Sequence, residues 1–541
     1  MSILFRKKTR ARNNLVVMHD WMDLHPAASP TDSYYLQLCN KTLKIILGSE
    51  LKDTCGSAER AIRQACILVA YFEDVISETG LFRTFNERYR ALYGNGYLPF
   101  YDTTSDYYPD EINLHDIHFL VWHSLSLWRL EDGGGLVNPF FRDSISVALE
   151  AVYDMFDREF EHAPQNENIQ EFMRLPPRSD VDGIRKRLNF IVSQSYLNVI
   201  EHSAFIDRIL KDMEKESFEK DEDEDEDIAE YLEKQEAQFY DACVDRMFNH
   251  CSSLLAQHAC EELAALAGEA HPQYQLLKSL SGRRMGCFLY LKENTAEMIF
   301  EHLPSQTRVN VSKEYLTIQS EQLSPKGSCM AMGIVKWGNV WQQMGSAVVF
   351  DYQEHQDRNW PGASAFDDEE TKETILKNMY GHFLQANDGK PAVIIKNMED
   401  WYDFYGRFLD RHLEKAGEQK MEMKETLLSE AVRFVERENL PITFFFNPKG
   451  GMEFYYDIAA VPGNDGFEPE EKIPLEDFFI ESFYSKEFVD YLIDTRLIET
   501  VSSFESEMDA AVILANHDFL MRYYKQKNYW TRPCVSVATE N

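Results

Sequence analysis

The sequence predicts an α+β protein: a mainly α-helical N-terminal region followed, from residue 282, by a mixed α+β C-terminal region with antiparallel hairpins. Three observations carry that expectation. Apolar residues recur every three or four positions through the first half. After Gly282 they give way to short apolar runs bounded by turn residues. With 44% apolar and 13% aromatic residues in 541, the chain also has far more core material than a solvated coil.

Taken in order, Pro30-Thr31-Asp32 opens a helix with Tyr35, Leu38, Leu43, Ile46 and Leu47 on one side, closed at Gly48. Ser57 caps a second that ends before Gly80, with Ile62, Ala65, Cys66, Val69, Phe72 and Ile76 facing a core. A third carries Phe82, Phe85 and Tyr89 and stops at Gly94, after which the aromatic and proline stretch from Tyr97 to Pro109 cannot be regular helix. Helical pattern resumes near Asp110 and runs to Leu130, and Pro139 starts another helix that lasts to about His162. Gly183 to about Glu216 predicts one continuous helix, and Ile228 to Gly268 one broken or two consecutive helices.

Strands are expected at Cys287 to Leu291 and Arg308 to Val311, and as a pair, Met330 to Lys336 and Val340 to Phe350, joined at Trp337-Gly338-Asn339. A helix from about Glu369 to Gln385 leads to a strand at Ala392 to Ile395 and an aromatic helix from near Met398. A second hairpin has arms Ile442 to Phe446 and Met452 to Asp457, turned by Asn447-Pro448-Lys449-Gly450-Gly451, and short helices fill the rest to Tyr529. The expected domains are a basic disordered leader at 1–17, a helical domain at 18–281 and an α+β domain at 282–541.

Charge narrows the function. Lys and Arg number 55 against 91 acids, a net charge of −36, which disfavours general nucleic-acid binding. No apolar run approaches the ~18 residues of a membrane span. The basic start, Arg6 to Arg12, lacks the apolar stretch of an export signal, and Met18 is an alternative start. Nine cysteines form no Cys-x-x-Cys pair, which argues for reduced thiols and a cytoplasmic location. From Glu214 to Asp227, ten acids face two lysines; such a block repels itself and predicts a solvated acidic linker at 214–227. Its functional alternative is a dock for a basic protein surface or divalent cations, although it lacks the spaced ligands and glycine of a calcium loop.

Several short motifs stand out: Met18-His19-Asp20-Trp21-Met22-Asp23-Leu24-His25-Pro26, then Pro30 to Leu36, and later Asp116-Ile117-His118-Phe119-Leu120-Val121-Trp122-His123. On them the chain resembles a family of uncharacterised proteins from anaerobic gut bacteria, catalogued as a domain of unknown function. The resemblance covers most of the chain, implies no activity, and favours Met18 as the start.

Motifs of common enzymes are missing. There is no Gly-x-x-x-x-Gly-Lys-Ser/Thr loop, no Gly-x-Gly-x-x-Gly after a strand, no His-Glu-x-x-His and no Gly-x-Ser-x-Gly elbow. One metal constellation is conceivable. Glu111, His115 and His118 fall at i, i+4 and i+7 of a predicted helix, and Glu159 with His162 forms a Glu-x-x-His on the next, ligand types that suit iron, manganese or zinc. Composition tempers it: 91 acids in 541 positions and 15 histidines give ~2.5 acids at each of i−3 and i−4 by chance. The sequence has one and two. Cys243, His250, Cys251, His258 and Cys260 offer ligand types at helical rather than zinc-knuckle spacing. The leading expectation is therefore a cytoplasmic, non-enzymatic protein-interaction or regulatory module with an unknown protein partner and no cofactor. The alternative is a metal-dependent enzyme with its carboxylate and histidine site between the N-terminal helices.

Overall fold

A computed structural model of the chain describes residues 15–94, 96–141, 143–219, 228–280, 282–352, 369–414, 420–435, 441–455, 475–495 and 507–530. Residues 1–14 of the expected leader and 220–227 of the acidic block lie outside them. The chain divides into two compact units, Met1–Phe366 and Asp367–Asn541.

The first unit begins with helices: α1 (Met18–Met22), α2 (Asp32–Leu47), α3 (Leu51–Cys55), α4 (Ala58–Ile76) and α5 (Leu81–Tyr93). Then come α6 (Leu114–Glu131), α7 (Asp143–Phe160), α8 (Glu167–Met173) and α9 (Val181–Ser193). The series closes with α10 (Val199–Glu219), α11 (Ile228–Asn249), α12 (Ala259–Ala267) and α13 (Tyr274–Lys278). Ser57 caps α4 as expected, its hydroxyl accepting from the Arg60 N–H at 3.2 Å. Trp21, Tyr35, Tyr71, Phe72 and Trp122 are fully buried and form the heart of this layer.

Several boundaries differ from the sequence expectation: α7, expected from Pro139, starts at Asp143, and two others have a visible cause. The single helix predicted from Gly183 to Glu216 is broken between α9 and α10. There the Asn198 side chain donates to the Ile191 carbonyl at 3.1 Å, and Tyr196 turns its hydroxyl to Asp74 at 2.6 Å. Apolar spacing continues through such a break, so periodicity does not show it. Helix α6 starts at Leu114 rather than Asp110, because the Asn113 amide donates to the Tyr108 and Glu111 carbonyls at 2.9 and 3.0 Å and holds that segment in a turn.

Helix gives way to strand at Arg284, and the compact unit continues through it. Strands β1 (Arg284–Glu293), β2 (Glu297–His302), β3 (Arg308–Ser312), β4 (Ser328–Trp337) and β5 (Val340–Asp351) close a barrel in the order β1-β2-β3-β5-β4. β1 to β3 meander and β4 returns beside β1, a Greek key. The pairs β1–β2, β1–β4, β2–β3 and β4–β5 are antiparallel, and β3 meets β5 in parallel at Val311 and Trp341. Phe288, Phe300, Val311, Met330 and Ile334 fill the interior. The expected strands are all present; β2 was not legible, since Glu297 and Glu301 leave an apolar run of only three residues, Met298-Ile299-Phe300.

A buried arginine fastens the barrel to α11. The Arg283 side chain is 1% exposed; its Nε donates to the Met344 carbonyl at 2.9 Å and its Nη2 to Asp241 at 2.7 Å. Asp241 also accepts from the Ser346 N–H at 2.9 Å. Gly345, at φ +99°, permits this approach, because a Cβ there would lie 2.1 Å from the Asp241 carboxylate.

The second unit contains α14 (Glu369–Ala386), β6 (Ala392–Ile395), α15 (Met398–His412), α16 (Lys420–Val435), β7 (Ile442–Asn447) and β8 (Gly451–Tyr455). It ends with α17 (Leu475–Ile480), α18 (Lys486–Asp494), α19 (Glu507–Ala515), α20 (His517–Lys525) and α21 (Lys527–Trp530). Its antiparallel sheet runs β6-β7-β8, and Phe383, Trp401, Phe408, Phe444 and Phe446 pack against one another as its core. Lys525 is buried and donates to the carbonyls of Phe478 and Glu481 at 2.7 and 2.6 Å, closing the C-terminal end of α17. Burial pulls its ammonium down to about 7. Lys525→Met is expected to leave both carbonyls without their donor and to cost about 2 kcal/mol, checked by urea unfolding of the full chain; an unchanged midpoint would contradict that role.

Candidate functional site

An acidic hollow of the first unit follows from where its polar residues are forced to sit. Near its end, after the apolar stretch 65–72, α4 carries Glu73-Asp74, two acids that are both buried. Asp74 faces the start of α5, where its carboxylate accepts the N–H groups of Leu81 and Phe82 at 3.2 and 2.9 Å, an anion at a helix N-terminus. It also takes the hydroxyls of Thr79 and Tyr196. Asp116, in the first turn of α6, accepts from Tyr71 at 2.6 Å, Tyr107 at 2.7 Å and Asn113 at 3.1 Å. Burial outweighs those donors and pushes the Asp116 carboxyl up to about 7.

Tyr71, Asp74 and Asp116 line a cleft of about 540 Å³ between the ends of α4 and α7 and the starts of α5 and α6. Glu78, Asp110, Glu111 and Glu161 also line it, so six carboxyl groups meet one guanidinium, Arg83. Arg83 is engaged by Asp110 at 2.7 Å and by Glu87 at 3.1 Å. Low-dielectric walls concentrate such a field, and the cleft favours cationic groups. Among the described residues no His, Cys, Ser, Thr or Lys lines it, and these residues offer carboxyl acid–base chemistry and charge but no nucleophile beside a base.

The residues singled out from sequence are dispersed around this cleft. Glu111 lines it, but precedes α6 instead of lying on its face. His115 and His118 do share a face of α6, turned to aromatic rings: His115 stacks on Tyr101 at 5.6 Å between centroids, and His118 sits edge-on to Tyr101 at 6.2 Å. Burial lowers the His118 imidazole to about 4, with His115 nearby adding to it. Glu159 accepts from Tyr34 and Lys41, each at 2.8 Å, tying α7 to α2. His162 is exposed just beyond α7, while its neighbours Glu161 and Ala163 line the cleft. Among the described residues, no group of three or more His, Cys, Asp or Glu side chains is placed to hold a metal ion. In the second constellation, His250 bonds Glu201 at 2.8 Å, and Cys251 sits 3.7 Å from His258 across a short β-bridge. The missed residues are Asp74, Glu78, Asp110, Asp116 and Glu161. Paired acids directly after the apolar stretch of α4 were the available signal for Asp74; Asp110 and Asp116 take partners far along the chain, Arg83 and Tyr71.

The short motifs at the N-terminus prove to be internal fastenings. Trp21 is fully buried and its indole donates to Asp32 at 3.0 Å. His25 Nε2 lies 2.5 Å from Glu73, with side chains 1% and 2% exposed, and Glu73 also accepts from Asn166 at 2.9 Å. The family model described as "Protein of unknown function (DUF3843)" matches residues 16–318, more than half of the chain. The chain belongs to this family. The DUF3843 match takes in the Trp21–His25 fastening, the acidic cleft and α1 through β3, and ends before β4. No curated protein and no solved structure matches the chain. No helix among the described residues is long and apolar enough to cross a membrane.

Proposed function

We propose that the protein is a non-enzymatic protein-interaction or regulatory module of the bacterial cytoplasm, and that it takes a lysine- or arginine-bearing segment of its partner into the acidic cleft. The observation that carries this reading is the ratio of six carboxyl groups to one already engaged guanidinium in a cleft of about 540 Å³. The outer β2–β3 face, where oligonucleotide-binding five-stranded barrels hold their ligand, supports the same reading. It carries Glu297, Glu301, Asn310 and Arg308, with Arg308 bonded to Glu301 at 3.3 Å, and no aromatic ring for a base to stack on.

A fluorescein-labelled hexalysine peptide, titrated at low ionic strength to limit screening, tests the proposal. The triple variant Glu78→Gln, Glu111→Gln, Glu161→Gln is expected to weaken binding at least tenfold, while deleting 219–227 changes it little. Binding that follows the acidic block and ignores the triple variant would refute the cleft. The metal-enzyme alternative would displace this reading if untagged protein held near-stoichiometric iron, manganese or zinc that a His115→Ala, His162→Ala double variant lost.

A further inference from the structure

Two histidines of the second unit are left without the partners that others have. His382 of α14 and His412 of α15 lie with ring centroids 5.8 Å apart and planes at 68°. His25, His123 and His250 each bond a ring nitrogen, to Glu73, the Leu197 carbonyl and Glu201, whereas the Nδ1 atoms of His382 and His412 are both buried with no hydrogen-bond partner. Two such nitrogens in neighbouring rings are costly. A metal ion relieves both at once, because a ligating nitrogen needs no hydrogen bond. Each residue as a whole is half-buried, so an ion can reach the pair from solvent.

The spacing fits one ion. A Zn–N bond of ~2.0–2.1 Å puts the centroid of a ligating imidazole ~3.2 Å from the metal, so two rings on one ion stand ~5 Å apart at a tetrahedral angle and ~6.4 Å apart when opposite. The observed 5.8 Å falls between these limits. Two ligand nitrogens on one ion are only ~3.3–4 Å apart, too close to admit water, which agrees with buried Nδ1 atoms on half-buried residues. The scaffold behind the pair is rigid. Phe383, next to His382, meets Phe404 and Phe408 of α15 at 5.1 and 6.3 Å, and His412 stacks on Phe408, one turn back, at 5.7 Å with planes 6° apart. All three phenylalanines belong to the core. Burial, with His382 nearby, lowers the His412 imidazole, which keeps it in the neutral form that binds metals.

We propose that His382 and His412 together bind a divalent transition-metal ion of the kind that prefers imidazole, namely zinc, nickel or copper(II), with water completing the coordination. Two protein ligands leave positions open, so the ion is exchangeable, unlike a closed structural site, and it clips α14 to α15. The site shares no residue with the acidic cleft or with the set Glu111, His115, His118, Glu159 and His162, and it stands whether or not the cleft binds peptides.

Equilibrium dialysis of the untagged full chain against Ni²⁺ tests this, alongside His382→Phe and His412→Phe, which keep a ring in place but remove the ligand nitrogens. The wild type is expected to take up one more Ni²⁺ per chain than either variant. Sub-millimolar Zn²⁺ should raise the wild-type Tm by roughly 2 °C more than that of the variants, while Mg²⁺, which prefers oxygen ligands, should not distinguish them. Copper(II) gives a readout on the wild type alone: at one equivalent its electron paramagnetic resonance spectrum is expected to show splitting from two nitrogens. Equal Ni²⁺ uptake by wild type and variants with unchanged circular dichroism, or a wild-type copper spectrum without nitrogen splitting, would overturn the proposal.

Discussion

Replacing Arg283 with methionine is expected to destabilise the first unit by about 3 kcal/mol or more. The guanidinium is almost fully enclosed and bridges three elements, since it donates to the Met344 carbonyl in β5 and to Asp241 in α11 from the residue before β1. Methionine replaces the volume but not the donors. The Met344 carbonyl loses its partner, and Asp241 keeps only the Ser346 contacts. Gly345→Ala attacks the same joint from the other side: the added methyl would collide with the Asp241 carboxylate, and φ +99° is strained for any L side chain. Urea unfolding followed by Trp fluorescence checks both, and midpoints within error of the wild type would show that the joint contributes nothing.

Glu73→Gln is expected to cost a similar amount near pH 6, and to remove a pH dependence that the wild type shows. Burial alone would lower the His25 imidazole, but the hydrogen bond and charge of Glu73, with the Trp21 carbonyl at 3.0 Å, raise it above the ordinary 6.5. A histidine held above its unfolded value stabilises the fold most at low pH. That contribution is complete below 6.5 and is lost as pH rises through the raised folded value. The difference in Tm between wild type and Glu73→Gln should therefore be largest at pH 6 and shrink toward pH 9. A constant difference across that window would show that His25 does not carry a proton in the folded state.

What the sequence makes legible is local. Asn447-Pro448-Lys449-Gly450-Gly451 announces the β7–β8 hairpin, and Ser57 with its apolar spacing announces α4, because turn chemistry and capping act within a few residues. His115 and His118 do share a helical face, as their three-residue spacing requires. Glu111 does not join them, since Asn113 hydrogen-bonds backward and starts the helix later. The cleft floor was out of reach for a different reason. Asp74 takes its tyrosine partner from 122 residues away, and Asp116 from 45, and a carboxylate buried by such distant donors looks in sequence like any other acid. The change of texture at Gly282 is a real change from helix to strand, but Arg283 carries the compact unit across it.

The strand order of the barrel has a consequence for synthesis. β1 needs β4 at its side, and β3 needs β5, yet both partners are translated after a connection that holds only two short 3₁₀ turns. Until β4 has left the ribosome at residue 337, three strands of a five-stranded barrel wait with open edges, and until β5 follows, β3 waits for its neighbour and Asp241 of α11 for the Ser346 N–H. Long-range pairing of this kind is slow and exposes strand edges. A fragment that stops at residue 318, where the family match ends, would keep that waiting state permanently and is expected to be captured by chaperones or to aggregate.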